Sequence, residues 1–139
     1  MKLLLDTCVL SELRQASPAA AVSKFIGSMP SDSLFISAIS LGEIIKGNTL
    51  LPASKCKTEL QAWVNFIETS YQHRILKIDS VVAGIWGEIT GLAQKKGKII
   101  GACDGLIAAT AIAKGLHVAT RNVNDFEPSG ALIINPWEQ

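Results

Sequence analysis

Four acidic residues stand in apolar or small-residue surroundings: Asp6 in "LLLDTCVL", Glu43 in "AISLGEII", Asp104 in "GACDGLIAAT" and Asp125 in "RNVNDF". Carboxylates gathered in one partly buried site raise each other's pKa unless a cation is present. An all-oxygen set suits Mg²⁺ or Mn²⁺ rather than zinc, and His73 and His117 lack ligand spacing. Taken one at a time, each acid also has a plain structural role. Asp6 would cap the turn after a strand, Ser40 with Glu43 fits a capping box, Asp104 would be a helix N-cap, and Asn122 with Asp125 resembles a second cap.

A competing chemistry starts from Cys8 and Arg14, whose five-residue separation is that of a thiolate phosphatase loop. Such a loop needs small residues so that successive N–H groups can turn in around a phosphate. Here the insert is Val9, Leu10, Ser11, Glu12 and Leu13, without glycine and with an acid that repels the ligand. A haloacid-type phosphohydrolase would want a second Asp two residues after Asp6, where Cys8 stands.

The elements that would position the four acids follow from hydrophobic patterning. Residues 2–5, 33–38, 75–78, 117–120 and 131–135 read as five short strands. Between them, Val22, Phe25, Ile26 and Met29 recur at helical spacing after Ser17 and Pro18. Leu60, Trp63, Val64 and Ile67 repeat the pattern, as do Val82, Ile85, Trp86 and Ile89. A fourth helix, "DGLIAATAIAKG", would open at Asp104 and close at Gly115. Residues 48–58 form the one extended polar connection.

Strands alternating with helices predict an α/β fold: one domain over residues 1–139, a mostly parallel sheet of about five strands, and helices on both faces. In such a sheet the strands end, and the following helices begin, at one common edge, where open α/β sheets place ligands. Asp6, Glu43 in the first turn after strand two, Asp104 and Asp125 all fall there.

At 139 residues the chain has the length of one domain. With 48 % hydrophobic and 18 % charged residues and a mean hydropathy of +0.31, it is apolar enough to imply an obligate dimer or complex. "MKLLLD" is too short for a secretory h-region and no uncharged stretch reaches the ~18 residues of a spanning helix, so a cytoplasmic protein with no membrane contact is expected. Cys8, Cys56 and Cys103 are odd in number and widely spaced, which excludes a disulfide framework and reads as buried small hydrophobes. The tryptophans read as core. A net charge of +1 is no nucleic-acid footprint by itself, so any polyanion contact must be local. The dense cluster Lys95, Lys96 and Lys98 also reads as the solvated last turn of a helix.

In order and spacing, "LLLDTCVLSEL", "SAISLGEIIKG", "DGLIAATA" and "ATRNVNDFEPSGALIINPW" resemble the motifs of PIN-domain ribonucleases, in particular VapC-type toxins of the FitB-like branch, over essentially the whole chain. The resemblance implies that Asp6, Glu43, Asp104 and Asp125 form a catalytic Mg²⁺ or Mn²⁺ site, with Thr120 and Asn122 as supporting polar groups. Glu12 matches the "SEL" of the pattern and is read as structural. The sequence departs from the pattern at Cys8, where the family usually has Asn. The implied activity is hydrolysis of RNA phosphodiester bonds by the toxin of a type II toxin–antitoxin module. Its implied partners are a small DNA-binding antitoxin, an RNA substrate and a second copy of itself. RNA contact in this reading falls to Lys46, Lys95, Lys96, Lys98 and Arg121. The alternative is a catalytically inert PIN-like module that binds RNA or a partner without cutting.

Overall fold

The first strand, β1 (Leu3–Leu5), lies at the centre of the sheet, and its three leucines are shut off from solvent on both faces. The computed structural model describes residues 1–139. Around β1 lie β2 (Leu34–Ser37), β3 (Ile75–Leu76), β4 (His117–Ala119) and β5 (Ile133–Ile134), in the order β3-β2-β1-β4-β5. The sequence predicted a mostly parallel sheet; every pairing is parallel. Leu3 and Leu4 sit opposite Leu34 and Phe35 on one side, and opposite His117 and Val118 on the other.

Side chains alternate across a strand. Leu3 and Leu5 therefore enter one core with Val9, Val22, Ile36 and Val64, while Leu4 enters the other with Ile107, Val118 and Phe126. Both faces being covered is why the strands read as continuous apolar runs. Each fully buried leucine stabilises the fold by about 1.5–3 kcal/mol.

Helices make every crossover. α1 (Thr7–Arg14) and α2 (Ala20–Gly27) join β1 to β2, and α3 (Ala38–Leu50) and α4 (Lys55–Ser70) join β2 to β3. α5 (Ser80–Lys95) and α6 (Ala102–Lys114) join β3 to β4, and the short α7 (Val123–Phe126) with a 3₁₀ turn joins β4 to β5. α6 lies close against its neighbours because Ala108, Ala109 and Ala111 are small and buried. A Cβ placed on Gly105 would come within 3.0 Å of the Trp86 indole, and this close approach fixes the first turn of α6. As expected, Gly115 ends α6: its left-handed φ of 68° lets its N–H turn back to the Ala111 and Ile112 carbonyls.

Several local expectations need correction. α6 begins one turn earlier than Asp104, with Gly101 at its N-cap, so Asp104 is the third helical residue. The N-cap of α3 is Ser37, whose hydroxyl accepts the Ile39 N–H, and no box forms between Ser40 and Glu43. Glu43 thus lies in the second turn. Asn122 precedes α7 without a side-chain cap bond. The connection expected over 48–58 shrinks to 51–54, because helical bonding runs into it from both sides. Cys56 and Cys103 are exposed and Cys8 is half-buried, so none is a fully buried hydrophobe, and all three are free thiols. No helix is long and apolar enough to cross a membrane.

Candidate functional site

Strand order reverses at β1: the chain moves outward through β2 and β3, then returns to place β4 on the opposite side. The crevice beyond the carboxyl ends of β1 and β4 is the switch point of this sheet. Asp6 leaves β1 there with extended backbone, its N–H donating to the Ala119 carbonyl at 3.0 Å. It caps α1 as expected, Oδ1 accepting the Thr7 N–H at 2.9 Å.

Asp6 is only 5 % exposed, and its second oxygen is held from the neighbouring strand. Thr120, fully buried just after β4, donates its hydroxyl to Asp6 Oδ2 at 2.8 Å. The Thr120 oxygen in turn accepts the Asn122 N–H at 3.0 Å, which leaves its own proton for Asp6. Asn122 thus acts through its backbone here. The Cys8 thiol adds a weak, 3.6 Å bond to the same Asp6 oxygen. Burial pushes the Cys8 thiol above its ordinary range; the Arg121 N–H opposes it, the nearby Asp6 charge adds to it, and the Thr120 hydroxyl opposes it less. A thiol so placed within a helix is no phosphatase nucleophile, and Cys8 and Arg14 bracket helical turns rather than a phosphate loop.

Glu43 reaches the site from α3, where its Oε1 accepts the Thr7 hydroxyl at 3.2 Å. Thr7 was not singled out by sequence; its position at the first residue of α1, directly after Asp6, was the available signal. Asp104, half-buried in the first turn of α6, reports the company it keeps. Its carboxyl is raised from 3.8 to about 6, first by burial, then by the charges of Asp6, Asp125 and Glu43. The charges of three acids far apart in sequence therefore reach Asp104 in space. The set offers only carboxylate oxygens beside a protonated thiol, which in charge and hardness fits a divalent cation of the magnesium type. As they stand, no three of the acids are close enough together to hold a metal ion.

The remaining predicted residues are placed as follows. Glu12 is structural as read, its Oε2 accepting the Ala19 N–H at 3.1 Å and so tying α1 to the start of α2. Lys46 is exposed on α3, three residues beyond Glu43. Lys95 and Lys96 finish α5, and Lys96 and Lys98 border a cavity of about 300 Å³ with Glu127 that takes in none of the four acids. Arg121 follows Thr120 and lies over the Trp137 ring. Two clefts flank the acids. One, about 290 Å³, runs from Thr7 and Glu43 to Leu60 and Trp63; the other, about 480 Å³, contains Asn122 and Asp125.

A parallel α/β sheet with acids from four segments at its switch point defines a class, and the comparison with known families agrees: the chain matches the PIN domain over residues 3–127 and belongs to that family. It is 39 % identical to the VapC ribonuclease Y4jK of Sinorhizobium fredii, with 98 % of each chain covered. It is 37 % identical to Toxin FitB of Neisseria gonorrhoeae, covering 97 % of this chain and 98 % of that one. The fold superposes on a chain of the solved complex FitAB bound to an IR36 DNA fragment with a TM-score of 0.90, at 36 % identity over 97 % of this chain and 95 % of that one.

Proposed function

We propose that the protein is a divalent-metal-dependent ribonuclease that hydrolyses RNA phosphodiester bonds as the toxin of a toxin–antitoxin pair. The observation that supports it best is the raised Asp104 carboxyl, which carries the mark of three other acids arriving from separate elements. Likeness to relatives named as a ribonuclease and as a toxin points the same way.

In this reading Asp6, Glu43, Asp104 and Asp125 would hold Mg²⁺ or Mn²⁺. The chemistry supplied by such an ion is polarisation of the scissile phosphate and acidification of water. The chain's own part is preorganisation. Thr120 and the Thr7 N–H each hold one oxygen of Asp6, so that its carboxylate does not turn during reaction. The Thr7 hydroxyl does the same for Glu43. Lys46, Lys95, Lys96, Lys98 and Arg121 are the proposed contacts to the RNA. A small DNA-binding antitoxin is the proposed partner, supported by the likeness to a chain solved on DNA as FitAB. A basic side chain of it would find the same carboxylates. A homodimer is proposed as well, supported by exposed apolar side chains such as Phe66, Val81 and Ile99.

Asp6→Asn and Asp104→Asn are expected to abolish RNA cleavage while the protein stays folded. Full cleavage by both variants in metal-free buffer rules the reading out. One observation favours the second reading, an inert binding module: the acids do not close on one point as they stand. Calorimetric titration with Mn²⁺ separates the two, since the inert module shows no heat of binding.

A further inference from the structure

Apart from Asp125, which it shares with the proposed metal site, the cleft on the β4 side of the acids takes no part in the metal chemistry above. Its volume of about 480 Å³ falls within the range of small-ligand sites. Asn122 and Asp125 make it continuous with the acidic cluster. Its other polar walls are Arg121, Asn124, Asn135 and Glu138. The Arg121 guanidinium lies 5.1 Å from the centre of the Trp137 ring, a cation–π contact that orients the side chain without using its N–H donors. Arg121 and Glu138 face the same space with opposite charge yet form no ion pair; the molecule's one salt bridge, Lys55–Glu59, is elsewhere. Asn135 commits its Oδ1 to the Trp137 N–H at 3.0 Å, which fixes the amide and leaves its NH₂ group to donate.

We propose that this cleft is a base-reading subsite that selects guanine at the nucleotide adjoining the scissile phosphate. The proposal rests on the ribonuclease reading for its place in the substrate. Its chemistry comes from the walls. Among the four RNA bases only guanine offers two adjacent acceptors, O6 and N7, for an arginine fork together with two adjacent donors, N1–H and N2–H, for a carboxylate. Adenine puts a donor beside N7 against the arginine and an acceptor at N1 against Glu138. Cytosine and uracil have no paired donors. Single-stranded RNA presents these edges freely, because an unpaired base can be turned out of the stack.

The test uses the full chain and the four ribonucleosides, which lack phosphate and so avoid repulsion by the acids. In a chemical-shift titration guanosine is expected to move the side-chain amide signals of Asn124 and Asn135 and to bind at least about tenfold more tightly than adenosine, cytidine or uridine. Glu138→Gln and Arg121→Gln are expected to remove that margin while both variants remain folded with a cooperative melting transition. Equal binding of all four nucleosides, or binding of none, overturns the proposal. In a second arm, four oligoribonucleotides differing only beside the scissile bond are cleaved in Mg²⁺. A preference of at least about tenfold in kcat/KM for guanine, levelled in Glu138→Gln, is the expected result. An equal fall on all four substrates would make these residues backbone contacts and overturn base reading. Failure of the ribonuclease reading looks different: no RNA is cut whatever its base, while the nucleoside titration still decides the subsite.

Discussion

Asp104→Asn in metal-free buffer removes a charge that burial and three neighbouring acids together disfavour. Folding raises the Asp104 carboxyl from 3.8 to about 6, so between those pH values the native state binds a proton that the unfolded chain has lost. The stability of the wild type on this account is fully present below pH 3.8 and is lost as pH rises through about 6. At 1.36 kcal/mol per pH unit the loss is about 3 kcal/mol without screening. Asp104 is partly open to water, which reduces this to about 1–1.5 kcal/mol. An asparagine escapes the repulsion but gives up a favourable charge near the α6 N-terminus, about 0.3–1 kcal/mol. The net expectation at pH 8 is that Asp104→Asn is more stable than wild type by up to about 1 kcal/mol, a rise in Tm of up to roughly 4 °C. At pH 4 the two proteins should melt together. Differential scanning calorimetry from pH 4 to 8 in a chelator makes the comparison. A variant that is less stable at pH 8, or a difference that does not vary with pH, refutes the argument that burial and the neighbouring acids disfavour the Asp104 charge in the folded state.

Two further outcomes follow from the same geometry. Thr120→Val leaves the buried Asp6 oxygen without its hydroxyl donor and the Asn122 N–H without its acceptor, and urea unfolding should show a loss of about 1–3 kcal/mol that Thr120→Ser largely restores; an unchanged midpoint would mean the bond contributes nothing. Added Mg²⁺ should raise the wild-type Tm, by the equivalent of about 2.7 kcal/mol at a hundred times its Kd, and should leave Asp6→Asn unmoved; a flat wild-type curve refutes metal binding.

Much of the fold could be read from sequence because burial on both faces leaves a plain mark. "LLL" at 3–5 has no polar residue to place its strand on a surface, and all five strands fall within the ranges expected. Helix faces were legible wherever apolar residues recurred every three to four positions, as in α4 and α5. Boundaries were less so. Pro52 and the polar residues around it signal a long loop, but Asn48 is buried and bonds through its amide to Gln61 on the facing helix, a contact that no local pattern reveals. The cysteines illustrate the same limit. Cys56 and Cys103 are each the second residue of their helices, and the direction in which a first turn faces depends on packing, not on residue type.

The site was legible to a different depth. Topology alone brings Asp6, Glu43, Asp104 and Asp125 to one edge, because each lies a few residues past a strand end or at the start of a helix there. What topology cannot supply is the detail between neighbours. Asp104 was expected to act as a cap, which would have used its charge locally; the helix starts at Ala102 instead, with Gly101 as its cap, and the carboxylate is left to face the other acids. Glu43, likewise freed from a capping box, is bound to Thr7 from another helix. An acid whose local structural role is vacant must have its charge met at longer range, by a proton or a cation. That is the physical reason Asp104 and Glu43, freed from the capping roles expected of them, carry more of the functional argument than they did as sequence.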